Sequence, residues 1–338
     1  MKVLFFYGTR PELIKMGLLM DKMQDTYNNV YRVFTSQHND LIDDVSALFK
    51  PPDEVFDIPN KRDINTLTHM LINKSDSVIR KVKPDLVIIQ GDTCTAFACG
   101  LSAFHNNVMI GHIEAGLRTY SKNPYPEEVY RRSLGLMASY NWCPTKQAVS
   151  NLIKEKVNGK IIMTGNTIVD TVKHFCLQPV TESNVVLVTI HRRENHKKFN
   201  YLMNQIVELS NKYCSLKFIF VTHPNHQVDK RYFTDNNVIF SKPIGYVDFI
   251  NLLSSCRGII TDSGGIQEEA LILRKKALIC RSETERNEGV SCGICKLVDD
   301  KVFDNFSWCI DGQIPDYKNP YGNGCSCEKI IGSINERN

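Results

Sequence analysis

Short apolar runs recur along the chain, each closed by a polar turn and followed by apolar positions at helical spacing. Residues 3–7, 31–35, 86–90, 108–113, 140–143 and 160–163 read as a first series of strands. A continuous apolar run bounded by turn residues suits a strand buried on both faces. Between them, 12–23 has Leu13, Met16, Leu19, Met20 and Met23 on one face, and 41–49, 67–82, 96–105 and 147–157 also read as helices. Strand, turn and helix in alternation predict an α/β protein with a parallel, doubly wound sheet. The pattern breaks at 176–184, around Gln178-Pro179, the expected linker. It then starts again. Strands are expected at 185–190, 218–221, 238–240, 258–260 and 277–280, helices at 199–213, 246–254 and 266–273, and a last helical stretch at 325–335. Two α/β domains follow from this repetition.

The polar residues at the strand ends carry the candidate chemistry, because open α/β sheets place their ligands there. Gly8-Thr9-Arg10-Pro11-Glu12 lies between a strand and a helix, with Arg10 and Lys15 as its cations. Such a turn lets amides and a cation meet an anion; an ordinary βα turn with surface bases is the alternative. Asp92 ends another strand, where Asp also serves as an N-cap. Glu114 follows the strand at 108–113, and Pro126-Glu127-Glu128 opens a helix, Pro in its first turn. Carboxylates from separate elements near Arg118, Arg131 and Arg132 suit shared proton transfer; a solvated helix start with a satisfied ion pair fits the same residues.

In the second half, Ser263 is placed to cap a helix, while Gly264 and Gly265 leave bare amides at its positive end. That is an anion seat, and nucleotide phosphate is its commonest tenant. Glu269, about a turn on, is placed to accept hydrogen bonds from a ribose diol. The competing reading is a capped core helix whose glycines permit close packing. His191 stands at a strand end beside Arg192 and Arg193, a poor place to bury a histidine.

With 338 residues, 42% hydrophobic and 23% charged, the chain has the make-up of a soluble globular enzyme. A net charge of +4, from 41 basic and 37 acidic residues, is too balanced for nucleic acid but suits a small anionic ligand. The apolar residues before Gly8 are too few for a signal peptide or membrane helix, so a cytoplasmic protein with no membrane partner is expected. Twelve scattered cysteines then read as reduced thiols. Cys292-Gly-Ile-Cys295 and Cys325-Ser-Cys327 raise zinc, but no His or acidic cluster with ligand spacing flanks them, and no metal is expected.

The motifs stand in a telling order: Gly8-Thr9-Arg10-Pro11-Glu12 with Lys15, Gly91-Asp92-Thr93, His112-Ile113-Glu114-Ala115-Gly116-Leu117-Arg118, Pro126-Glu127-Glu128, Thr164-Gly165-Asn166-Thr167, His191-Arg192-Arg193-Glu194, Thr261-Asp262-Ser263-Gly264-Gly265-Ile266-Gln267-Glu268-Glu269, Thr284-Glu285-Arg286 and Asn319-Pro320-Tyr321-Gly322. Over nearly its whole length the chain resembles the non-hydrolysing UDP-N-acetylglucosamine 2-epimerases. The resemblance implies a GT-B fold, two doubly wound Rossmann-like domains with the active site in the cleft. It divides the chain into 1–175, a UDP-binding 176–321, and a final helix in 322–338 that returns to the first domain. It further implies a homodimer, a UDP-sugar ligand and no metal or redox cofactor.

The implied reaction interconverts UDP-N-acetylglucosamine and UDP-N-acetylmannosamine by UDP elimination and re-addition through 2-acetamidoglucal. Asp92, Glu114 and Glu127 match the family's acid/base carboxylates; the sequence leaves open which takes the proton and which returns it. Arg10, Lys15, His191 and the Ser263-Gly264-Gly265 helix end are expected at the diphosphate, with His191 also in the catalytic set. Arg192 and Glu269 complete the expected substrate contacts, and Arg131 is expected to fix Glu127 or bind phosphate.

Some positions depart from the family pattern. Ile190 replaces a small residue before His-Arg-Arg, and Asn287 replaces a proline after Thr-Glu-Arg. Gln37 matches one glutamine of the bacterial activator site, but Asp40 and Asn65 stand where others would be, which predicts a weak or absent dependence on a second substrate molecule. Four rivals remain. A sister epimerase for another UDP-2-acetamido sugar, such as UDP-N-acetyl-L-rhamnosamine, is disfavoured by Leu117. A hydrolysing epimerase is disfavoured by the Arg10 to Lys15 run. A GT-B glycosyltransferase shares the fold. A catalytically dead nucleotide-sugar sensor has no need of Asp92, Glu114 and Glu127 together.

Overall fold

Every residue of the first strand, β1 (Val3–Tyr7), is buried, as its unbroken apolar run requires. The computed structural model describes residues 1–38, 42–59, 62–122, 124–176, 182–222 and 237–335, apart from the side chain of Arg193. These fall into two compact units, Met1–Thr171 with Pro320–Asn338, and Val172–Asn319.

In the first unit β1 is followed by α1 (Arg10–Tyr27), β2 (Val30–Phe34), α2 (Asp43–Ser46), β3 (Glu54–Val55), α3 (Ile64–Val82), β4 (Leu86–Gln90) and α4 (Cys94–His105). Then come β5 (Met109–Ile113), α5 (Glu127–Met137), β6 (Tyr140–Cys143), α6 (Lys146–Glu155), β7 (Lys160–Met163) and the first half of α7 (Thr167–Phe175), whose residues from Val172 on count with the second unit. The sheet order is β3-β2-β1-β4-β5-β6-β7, with every pair parallel. The order reverses between β1 and β4, so the turns after these strands flank the switch point where such sheets bind ligands. Leu4, Phe6, Val87, Ile89 and Ile110 project from the sheet into a core shared with Leu71, Val78 and Ile79 of α3 and Cys99 of α4.

The second unit holds β8 (Val185–Thr189), α8 (Phe199–Lys212), β9 (Lys217–Val221), β10 (Val238–Ser241), α9 (Tyr246–Ser255), β11 (Gly258–Thr261) and α10 (Gly264–Leu273). It continues with β12 (Ala277–Ile279), α11 (Asn287–Ser291), β13 (Cys295–Leu297) and α12 (Val302–Asp311). Its parallel sheet runs β10-β9-β8-β11-β12-β13, and the reversal lies between β8 and β11.

The last helix, α13 (Ser326–Asn335), packs on the first unit. Asp170 accepts the N–H groups of Ser326 at 3.1 Å and Cys327 at 3.0 Å, placing a carboxylate at the helix's positive end. Trp142, fully buried in β6, donates its indole N–H to Ser333 at 2.9 Å. The ring fits because Gly111 on neighbouring β5 has no side chain: a Cβ there would lie 2.3 Å from it.

The expected helix over 41–49 is only the single turn of α2 within the described residues; Leu41 and most of the expected linker lie outside them. Five helices and strands were not foreseen in the sequence: β3, α7, α11, β13 and α12. Of these α12 was legible, since Val302, Phe306 and Cys309 form a buried face at helical spacing. β13, at three residues, is too short to show a period. Cys295 lies in it, buried, and all twelve cysteines are free thiols. Among the described residues no helix is long and apolar enough to cross a membrane.

Candidate active site

Asp92 and Glu114 follow the adjacent strands β4 and β5, whose register pairs Gln90 with Ile113. A Cβ on Gly91 would lie 3.7 Å from Oε2 of Glu114, so that carboxylate rests against the turn that carries Asp92. Glu114 is in the left-handed region, φ 67°, rare for a residue with a side chain and commonest at functional sites. Lys15 on α1 donates to both carboxylate oxygens at 2.9 Å, and the Gln90 amide also donates to Oε2. Both partners of the Lys15–Glu114 ion pair are buried. Lys15, expected beside Arg10 at an anion, thus has its ammonium on Glu114. Gln90 was missed; its signal was a polar residue closing an apolar strand.

Thr93, not Asp92, is the N-cap of α4, its hydroxyl accepting the N–H of Ala96 at 2.9 Å. That leaves Asp92, 30% exposed at its side chain, to form an ion pair with the buried Arg131. Arg131 also lies 3.5 Å from Glu128. Glu128 in turn accepts the N–H groups of Thr119 and Tyr120, both at 3.1 Å, pinning the loop after Glu114. Spacing alone had pointed Arg131 at Glu127 or phosphate and did not disclose this link. Glu127 opens α5 just after Pro126, which occupies the N-cap position and not the first turn, and its Oε2 is shut away from solvent. Arg118 and Arg132, read as companions of these carboxylates, turn instead toward Glu155 of α6: Arg118 grips it with bonds of 2.8 and 2.7 Å, and Arg132 lies 3.9 Å away.

His112 sits beneath this group, fully buried, with Nε2 2.7 Å from the carbonyl oxygen of Gly91. Burial, aided by Arg118 and Arg131, outweighs that hydrogen bond and lowers its pKa to about 4. The neutral ring donates to Gly91, whose φ of 70° suits glycine, and so braces the turn bearing Asp92. Arg10 pairs with Asp44 at 2.9 Å and is about a quarter exposed. Gln37 accepts both the N–H and the hydroxyl of Thr95, at 2.8 and 2.9 Å, which commits its carbonyl to the start of α4. Asn65 lies in the first turn of α3, and Asp40 is outside the described residues.

In the second unit the turns after β8 and β11 meet at Asp262. This fully buried carboxylate accepts the N–H groups of His191 at 3.0 Å and Arg192 at 2.9 Å, and the Asn195 amide at 2.9 Å. The His191 ring, with Nδ1 3.5 Å from Asp262, keeps 38% of its surface exposed. Sequence reading had quoted Asp262 only within a motif, yet it holds the loop that presents His191.

Ser263 occupies the N-cap position of α10, but its side chain makes no capping bond, contrary to the expected cap. The amides of a first helical turn have no acceptor within the helix. A Cβ on Gly265 would meet nothing within 4 Å, so packing does not demand that glycine. At Gly264 a Cβ would lie 2.8 Å from Nη1 of Arg286. Arg286 also pairs with Glu285, and with Glu268 at 3.2 Å, while Arg281 lies 3.2 Å from Glu285. Burial opposes the charge of Glu285, but Arg286, Arg281 and Arg192 together bring its pKa down to about 2. Burial, with Arg281 and Arg286 nearby, pushes Arg192 below the usual arginine range. Glu269 is buried on the same helix, 6% exposed.

A UDP-N-acetylglucosamine 2-epimerase family pattern matches residues 22–335. A UDP-N-acetylglucosamine 2-epimerase from Neisseria meningitidis is 36% identical over 372 aligned positions, covering 99% of both chains. A crystal structure of UDP-GlcNAc 2-epimerase from Neisseria meningitidis, bound to UDP-GlcNAc, superposes with a TM-score of 0.90 at 33% identity, over 100% of each chain. MnaA of S. aureus, in a UDP co-structure, gives 0.91 at 35% identity, covering 99% of this chain and 96% of its own. Two parallel sheets flanked by helices, superposing this closely on those enzymes, make the fold GT-B. By sequence and by structure the chain belongs to the UDP-N-acetylglucosamine 2-epimerase family.

Proposed function

We propose that the protein interconverts UDP-N-acetylglucosamine and UDP-N-acetylmannosamine without hydrolysis, through enzyme-bound 2-acetamidoglucal. The observation that carries this reading is the pair Asp92 and Glu114, on adjacent strand ends, each tied to a cation from a different helix. The hydrogen on the sugar's second carbon is not acidic, so its removal must be coupled to departure of UDP. One carboxylate takes that proton, the electrons form the double bond between the first and second carbons, and the bond to the diphosphate oxygen breaks. In return, a carboxyl proton is delivered to the opposite face and the diphosphate oxygen rejoins the first carbon. Glu127 completes the carboxylate set. Arg10, His191, Arg192 and the open end of α10 stabilise the charge that builds on the diphosphate. Glu269 accepts from the ribose.

Turnover in deuterium oxide tests this. Carboxyl protons exchange with water between turnovers, so recovered nucleotide sugar should carry one deuterium on the second carbon, with UDP still attached and no acceptor or nicotinamide added. An unlabelled second carbon after full equilibration removes the mechanism. Free N-acetylmannosamine would instead show hydrolysis.

A further inference from the structure

The least expected carboxylate of the first unit is Glu12, inside the first turn of α1 and 0% exposed. No salt bridge to it is formed among the described residues; its hydrogen bonds come from neutral donors on two different turns. Oε2 accepts the N–H of Gly8 at 3.0 Å and the hydroxyl of Thr9 at 2.8 Å, both from the turn after β1. Oε1 accepts the hydroxyl of Thr93 at 2.6 Å, from the turn after β4. These are the two turns flanking the sheet's reversal, one leading into Arg10 and the other following Asp92. The approach is tight: a Cβ on Gly8 would lie 2.2 Å from the Thr35 hydroxyl and 2.3 Å from that of Thr95.

We propose that Glu12 is a positioning residue, whose carboxylate ties the Gly8–Thr9 turn to Thr93 and so sets the stance of Arg10 and Asp92. The proposal rests on the epimerase reading, which puts Asp92 at the sugar ring. The tie works as drawn only when both oxygens accept. A protonated Glu12 has to donate once, and one hydroxyl must then reverse. Thr93 already accepts from Ala96, so its reversal fills both acceptor sites of the hydroxyl and leaves its own proton to find a new acceptor at the start of α4. Burial raises the Glu12 pKa to about 7, against the pull of its hydrogen bonds, which brings the exchange between the two states into the working range. Among the described residues, the titratable groups near it include Arg10 and Lys15 on the same helix, Asp92 next to Thr93 in the chain, and the thiols of Cys94 and Cys99 on α4, both pushed up by burial and therefore neutral.

The test compares wild type with Glu12→Gln, Thr93→Ser and Thr93→Val. At pH 8 Glu12→Gln should lose about 10- to 100-fold in kcat with little change in KM, as a displaced catalytic group does. Wild-type kcat should fall as pH drops through about 7, and the Gln variant should lack that step. Its thermal stability at pH 8 should not fall, because a buried charge has been removed; a merely structural role predicts the opposite. Thr93→Ser should keep most of the activity and Thr93→Val should not. A folded Glu12→Gln variant with wild-type kcat and pH profile overturns the proposal. Amide exchange decides the tie without turnover: in Glu12→Ala the Gly8 amide, deprived of its acceptor, should exchange about tenfold faster while the amides of β1 hold their rates. Unchanged Gly8 exchange refutes the tie. A wild type that turns over no UDP-sugar refutes the epimerase reading instead, and leaves the tie to the exchange result.

Discussion

Gly265→Ala separates an anion seat from a packing glycine, because the two readings predict opposite pairs of outcomes. A Cβ at this position would meet nothing within 4 Å, and the residue lies inside α10 with ordinary helical backbone. Alanine there should therefore stabilise the helix by about 0.5–1 kcal/mol, the usual gain over glycine. That corresponds to a rise in melting temperature of about 1–4 °C for a domain of this size. If the first-turn amides hold the diphosphate of UDP, the new methyl stands where phosphate oxygens must approach. Loss of a hydrogen bond to a charged acceptor costs about 1.5–3 kcal/mol, or about 10- to 100-fold in UDP affinity. Calorimetric titration with UDP and thermal melts on the same sample read both quantities. Gly264→Ala is the contrast, since its Cβ would lie 2.8 Å from Nη1 of Arg286 and must push that guanidinium off its carboxylates. A stabilised Gly265→Ala variant that binds UDP as tightly as wild type would refute the anion seat.

Glu114→Gln and Asp92→Asn should each lower turnover by about 10²- to 10⁴-fold while UDP affinity changes little, because both are assigned to the sugar ring; near-normal turnover by either variant removes its role. Lys15→Met leaves the buried Glu114 without its ammonium and should cost about 3–5 kcal/mol in urea denaturation; adding Glu114→Gln should recover much of that loss, and a single variant as stable as wild type would mean the pair is not buried as described. The stability–pH profile should hide two opposed terms. His112, lowered from 6.5 to about 4, contributes stability that is present above pH 6.5 and lost as pH falls toward 4. Glu12, raised from 4.5 to about 7, contributes stability that is present below pH 4.5 and lost as pH rises toward 7. Each amounts to about 3 kcal/mol, so they nearly cancel in wild type, whereas Glu12→Gln should lose stability on acidification and His112→Gln should lose it on the way to neutral pH. Identical slopes in all three proteins would contradict this.

The sequence by itself determined most of the strands and helices and the α/β class, because a buried strand and an amphipathic helix write their periods into adjacent residues. It also marked the turns that matter: Gly8 to Arg10, Gly91 to Thr93, His191 to Arg192, and Ser263 to Gly265 all follow the strands at the two sheet reversals. Partnership was beyond it. Lys15 reaches Glu114 across 99 positions, and Asp262 takes the amides of His191 and Arg192 from 71 and 70 positions away. Which side chains meet depends on strand order, and no local period encodes strand order. For the same reason Arg118 was grouped with the wrong carboxylates, and Glu12 was quoted only within a motif. Only the parallel order β2-β1-β4-β5 sets the turns after β1 and β4 side by side. That neighbourhood turns a carboxylate at a helix start into a buried link between Gly8, Thr9 and Thr93.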